Sequence, residues 1–115
     1  MKYMLILASE PEPMPEMDEA AFEEYMTPWV EYTNALIEAG AYVGGEALHD
    51  ADTATTVRHA DGATTVVDGP FAELKEHLGG YYIIDVDTLD DAIEWARKVP
   101  IGTGGVEVRP VMPTD

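Results

Sequence analysis

Between residues 18 and 39 the chain places Phe22, Tyr25, Met26, Trp29, Thr33, Leu36 and Ile37 at intervals of three and four, the spacing of one helical face. A helix of that length with an apolar stripe must lay the stripe on another layer. The neighbouring segments supply it. Lys2 to Ala8 is short and apolar, which suits a buried strand, and Ala41 to Leu48 reads as a second strand after Gly40 has ended the helix. Pro28 interrupts the helical stretch. Thr27 can cap and Pro28 suits a first helical position, so a kink or two abutting helices are predicted there. Ser9 to Asp18 carries Pro11, Pro13 and Pro15 among acids and reads as an extended surface loop, either a solvated connector or a lid.

Farther along, Thr53 to His59 and Ala63 to Val67 are rich in β-branched residues and flank Asp61-Gly62, a hairpin signal that predicts a meander of strands. Gly44 and Gly45 allow a bulge or the close approach of another backbone. An elbow follows at Asp68-Gly69-Pro70, after which Phe71, Leu74 and Leu78 fall on one face of a predicted short helix. Tyr81 to Val86 supplies another strand. Thr88 with Asp91 starts a helix with Leu89, Ala92, Ile93 and Ala96 inward, ended by Arg97, Lys98 and Pro100, and Val106 to Val111 is the last strand. The order predicts one α+β domain over residues 1–115, a ferredoxin-like antiparallel sheet with both helices on one face. Apolar positions on both faces of Tyr81 to Val86 leave the other sheet face in need of cover. A homodimer is expected to supply it, with a cavity between sheet and helices in each subunit.

Six Lys and Arg against 23 Asp and Glu give a net charge of −17, which repels nucleic acid and anionic membranes. The chain has no cysteine, so disulfides, thiolate metal sites and cysteine nucleophiles are excluded together. Met4 to Ala8 is too short for a secretory core or a membrane span, and a cytoplasmic protein is expected. His49, His59 and His77 match no metal-binding spacing; no metal and no cofactor is implied. Gly102 to Gly105 lacks the lysine of a phosphate loop and precedes a strand, and the single serine, Ser9, has no histidine near it in sequence.

The residues left with chemical potential cluster around the elbow. Asp68, at a strand end, can accept the amide of Phe71 as a cap or serve as a general base. Glu73 and Lys75 follow it, as a solvated helix face or as an acid and a cation beside Asp68. His77, four residues after Glu73, makes a local charge pair on the same predicted helix. Glu46 and Arg58, on strands predicted to be adjacent, make a cross-strand ion pair or grip a carboxylate or carbonyl. Arg109 offers a bidentate donor or pairs with Glu107. Tyr81 and Tyr82 point to opposite sheet faces, and Tyr82 is assigned to the pocket. Trp29 and Trp95 are core residues by their simplest reading.

Asp68-Gly69-Pro70-Phe71-Ala72-Glu73-Leu74-Lys75-Glu76, followed by Gly79-Gly80-Tyr81-Tyr82-Ile83-Ile84-Asp85-Val86, resembles the signature of the YCII-related family, also called DGPF-domain proteins. The likeness extends to Gly45-Glu46-Ala47-Leu48, Thr53 to Arg58, Ala92 to Ala96 and Val106 to Pro110. The resemblance implies a dimeric α/β barrel and specifies no reaction. It places an acid and a lysine at Glu73 and Lys75, with Leu74 where the family's usual threonine stands. Some of the wider group are thought to use a histidine-aspartate pair, for which the first helix here offers no histidine. Two functions follow as expectations. One is binding of an unidentified small molecule in a pocket near the elbow, with Asp68 or Glu73 as acid or base and Lys75 or Arg58 facing developing charge on a carbonyl. The other is a non-catalytic module with a protein partner, in keeping with the family's association with sigma-factor pathways.

Overall fold

The structure, a computed structural model, describes residues 1–10, 16–72 and 76–114. In chain order the elements are β1 (Lys2–Ser9), α1 (Glu19–Glu38), β2 (Tyr42–Ala47), β3 (Thr55–Ala60), β4 (Ala63–Asp68), β5 (His77–Asp85), α2 (Leu89–Arg97) and β6 (Gly104–Pro110), with a single 3₁₀ turn at Ala51–Thr53. Four strands form one antiparallel sheet in the order β2-β5-β1-β6. The β1-α1-β2 and β5-α2-β6 units each straddle a strand of the other, which is the ferredoxin-like plan the sequence predicts. Both sheets are open, so no barrel closes within one chain.

Helix α1 begins where Asp18 accepts the amide of Ala21 at 2.8 Å and ends before Gly40, whose φ of 71° only glycine adopts freely. It runs unbroken through Pro28, so the prediction of two abutting helices is corrected. Thr27 does not cap a second helix; its hydroxyl donates to the Glu23 carbonyl at 2.8 Å, one turn back. Helix α2 starts as expected, with Thr88 Oγ1 accepting the amide of Asp91 at 3.1 Å.

Both helices pack on one sheet face. Tyr32 and Leu36 of α1 and Ala92 of α2 share a buried cluster with Tyr3, Leu5, Leu7, Ile84 and Val99, and Trp29 and Trp95 pack at its margin. Leu5, Leu36 and Ile84 are fully buried, so side chains fill the layer in which a cavity was expected. The inward stripe of α1 is shifted from the predicted one. Tyr32 is buried, whereas Phe22, Tyr25 and Ile37 are each about half exposed. With 20 residues α1 is more than twice as long as the 9-residue α2.

The hairpin departs from the predicted meander. β3 pairs only with β4, as a separate two-stranded sheet closed by Asp61 (φ 53°) and Gly62 (φ 80°), the left-handed pair of a tight turn. The short helix expected after the elbow is also corrected at its described ends. Phe71 and Ala72 lie in a bend, and His77 and Leu78 already belong to β5; Leu74 lies outside the described residues. No helix among the described residues is long and apolar enough to cross a membrane.

Candidate functional site

The elbow is built on β3. Alternate residues of a strand share one side, and three of them reach the elbow in succession. The Ala54 carbonyl, just before β3, accepts the Gly69 amide at 2.7 Å. Thr56 Oγ1 donates to the Gly69 carbonyl at 2.7 Å, and Arg58 Nη2 donates to the Phe71 carbonyl at 2.7 Å. The Arg58 guanidinium also lies 4.9 Å from the centroid of the Phe71 ring. Residues 69 to 71 are thereby held on the hairpin by hydrogen bonds from three consecutive same-side positions. The Asp68 carboxylate is exposed and has no hydrogen-bond partner among the described residues; the expected cap on the Phe71 amide does not form.

The pairing register separates the remaining candidates. In the hairpin Arg58 lies opposite Thr65 and Asp68 opposite Thr55, so Arg58 and Asp68 leave on opposite faces. Glu46 lies on β2 opposite Tyr81, in the other sheet from Arg58. Their expected cross-strand pair is therefore not formed: the two strands are not neighbours. Arg109 pairs with Glu107 across 2.7 Å, both exposed, the more ordinary of its two expected roles. Glu73 and Lys75 lie outside the described residues, as does any pairing of Glu73 with His77; His77 itself is on β5.

Tyr82 faces the helices, where its hydroxyl and Thr33 Oγ1 are 3.0 Å apart and its ring meets Tyr32 edge-on at 5.3 Å. Tyr32 in turn donates to the Trp95 carbonyl at 2.8 Å. Burial, and then the adjacent Tyr82, raise the Tyr32 hydroxyl well above its ordinary pKa. This is a packed aromatic link between α1, β5 and α2 rather than the wall of a pocket. Among the described residues, no three His, Asp or Glu side chains are grouped to hold a metal ion.

Two open clefts lie elsewhere. One of about 380 Å³ sits where the end of α1 meets the start of α2, beside Asp91 and Trp95. Another of about 360 Å³ lies between Ile6, Glu76 and Glu107. Among the described residues, neither is lined by a predicted site residue.

The sheet face away from the helices carries a different arrangement. Across it run two rows, Glu46–Tyr81–Ile6–Glu107 and Gly44–Ile83–Met4–Arg109, with Leu78 and Ala8 paired beyond them. Their centre, Met4, Ile6, Tyr81 and Ile83, is apolar and only partly covered, and the charges Glu46, Glu107 and Arg109 stand on the two edge strands. Thus Glu46 and Arg109 share this face, at opposite edges, while Tyr82 is behind it and Asp68 and Arg58 are on the hairpin. Met4 and Ile6 were not singled out as interface residues from sequence, although the double-sided apolarity of β5 pointed to this face.

Comparison with known proteins accords with these elements. An uncharacterized protein of Rhizobium meliloti (strain 1021) is 45% identical over 78 residues, which is 65% of this chain and 63% of the relative's own length. The family model described as the YCII-related domain matches residues 1–115. With the elbow and the strands around it in place over that whole length, the chain belongs to the YCII-related domain family.

Proposed function

We propose that this protein is a homodimeric interaction domain whose first partner is a second copy of itself. The observation that carries the reading is the uncovered sheet face, with Met4, Ile6, Tyr81 and Ile83 exposed in part between charged edges. An apolar centre with a polar rim is the anatomy of a protein interface, and a two-fold axis through it covers both copies at once. The hairpin fits the same reading, because Asp68 is turned to water on the same face as the exposed Val57 and Val66, while Phe71 is exposed on the other face. A regulatory partner, of the kind the sigma-factor association suggests, would be a further layer on this dimer. Light scattering on the purified chain tests the proposal: a dimer mass is expected, falling to a monomer in Ile6→Asp with the far-UV circular dichroism retained. A monomeric wild-type chain at tens of micromolar overturns it.

A second reading is favoured by one feature, a carboxylate at Asp68 with no partner among the described residues, on a backbone fixed by three hydrogen bonds. Such a group is pre-organised to accept a donor from a small carbonyl-bearing molecule, and as acid or base it would act with Glu73 and Lys75. Thermal shift against small carboxylates, aromatic ketones and lactones tests this reading. A ligand at a hundred times its dissociation constant adds about 2.7 kcal/mol, several degrees in midpoint for a chain of this size. The shift should be lost in Asp68→Asn; a shift retained there removes Asp68 from the site.

A further inference from the structure

We infer that the β3–β4 hairpin is a dimerisation arm that docks on the second copy of the chain, an inference that rests on the homodimer proposed above and adds a second contact to it. A two-stranded hairpin on its own is marginally stable in water. Here every residue of β4 is exposed and, in β3, every one but Thr56. On the face opposite the elbow, Val57 and Val66 form a cross-strand pair, 51% and 68% exposed. They lack only an apolar surface to close on.

The size of the uncovered surface points to a partner. A compact chain of 12.6 kDa exposes about 6,200 Å², whereas this one exposes 8630 Å². Its radius of gyration is 16.3 Å against about 13 Å for a compact domain of this length. Roughly 2,400 Å² of excess surface per chain is on the scale that obligate dimers bury.

Charge selects the second copy as occupant. Thr55–Ala60 and Ala63–Val67 contain no carboxylate, in a chain that carries 23. Their one cation, Arg58, is on the elbow face, while Asp61 is confined to the tip and Asp68 to the base of the Val57 face. A basic partner would be met through acids. Between tip and base the Val57–Val66 face carries no carboxylate, so it can close on a copy of the same chain, net charge −17, without meeting like charge there.

The absence of native cysteine allows a direct test. Val66→Cys, labelled with a benzophenone maleimide, is prepared as a re-equilibrated mixture of ¹⁴N and ¹⁵N copies, sized by light scattering, irradiated and mapped by mass spectrometry. Cross-linked peptides joining copies of different isotope are expected. A dimer that gives only links within one copy, or none, overturns the arm and leaves the sheet-face dimer standing. A monomer overturns both. In parallel, Val57→Asp with Val66→Asp is expected to weaken dimerisation at least tenfold with circular dichroism unchanged; an unaltered dissociation constant in the folded variant likewise overturns the arm.

Discussion

The guanidinium of Arg58 holds Phe71 twice, through a 2.7 Å hydrogen bond from Nη2 to its carbonyl and by lying 4.9 Å from the centre of its ring. Among the described residues its partners are a backbone oxygen and an aromatic face, so in this arrangement Arg58 is a positioning residue for the elbow. With Thr56 on Gly69, it makes the course of residues 69 to 71 depend on β3 rather than on a helix of their own.

Replacing Arg58 should therefore loosen the elbow before it alters the core. Lysine keeps the charge but loses the planar fork that donates while stacking. Arg58→Lys and Arg58→Ala are both expected to speed amide exchange at Gly69 with less than about 1.5 kcal/mol lost globally, because the site is exposed. Hydrogen exchange with urea unfolding checks this. Equal protection in wild type and Arg58→Ala would show that Thr56 and Ala54 suffice.

At Gly45 the constraint is space. A Cβ there would stand 2.7 Å from the Tyr81 carbonyl and 3.0 Å from Cδ1 of Tyr82, on the strand to which β2 is paired. The ring edge can yield but the carbonyl cannot move without its ladder. Gly45→Ala is expected to cost about 1–3 kcal/mol in urea unfolding. It should also disturb the Tyr82 ring, read as a change in near-UV circular dichroism.

Much of this fold is legible in the sequence because it rests on local rules. Thr88 as a cap, Asp61-Gly62 as the turn and Gly40 as the helix end each act within four residues. What escaped depends on distant partners. Pro28 stays within a continuous helix whose second half is anchored by Tyr32 and Leu36. Glu46 and Arg58 are separated because β3 pairs with β4 alone, and strand propensity does not specify which sheet a strand joins. Tyr82 is on the helix side, where the cavity was expected, but its ring is packed there against Tyr32, and that packing depends on elements distant in sequence.

The shifted stripe of α1 yields a contrast between neighbours. Leu36 is fully buried and Ile37 is 54% exposed, although both fit the predicted apolar face. Leu36→Ala should cost about 2–5 kcal/mol, from lost burial and the cavity left behind. Ile37→Ala in the same helix should cost under about 1 kcal/mol, since alanine's better helix propensity offsets part of the smaller burial. Urea midpoints measured side by side separate them; comparable losses would mean that Ile37 is covered in solution.

Tyr32 makes stability sensitive to alkali. Burial and Tyr82 raise its hydroxyl above the ordinary value near 10, so as pH climbs past that value the unfolded chain releases the proton while the fold retains it. Fewer protons on the unfolded chain than on the fold means that stability falls as pH rises, by at most about 1.4 kcal/mol per unit from this group. Its contribution is whole below about pH 10 and declines above it. Tyr32→Phe abolishes the titration and also the 2.8 Å hydrogen bond to the Trp95 carbonyl. It should be less stable than wild type by about 0.5–1.5 kcal/mol near neutrality. The gap should narrow, or reverse, between about pH 8 and about pH 11. Urea unfolding at both values decides it, and a gap that stays constant would show that the Tyr32 proton is no better held in the fold than out of it.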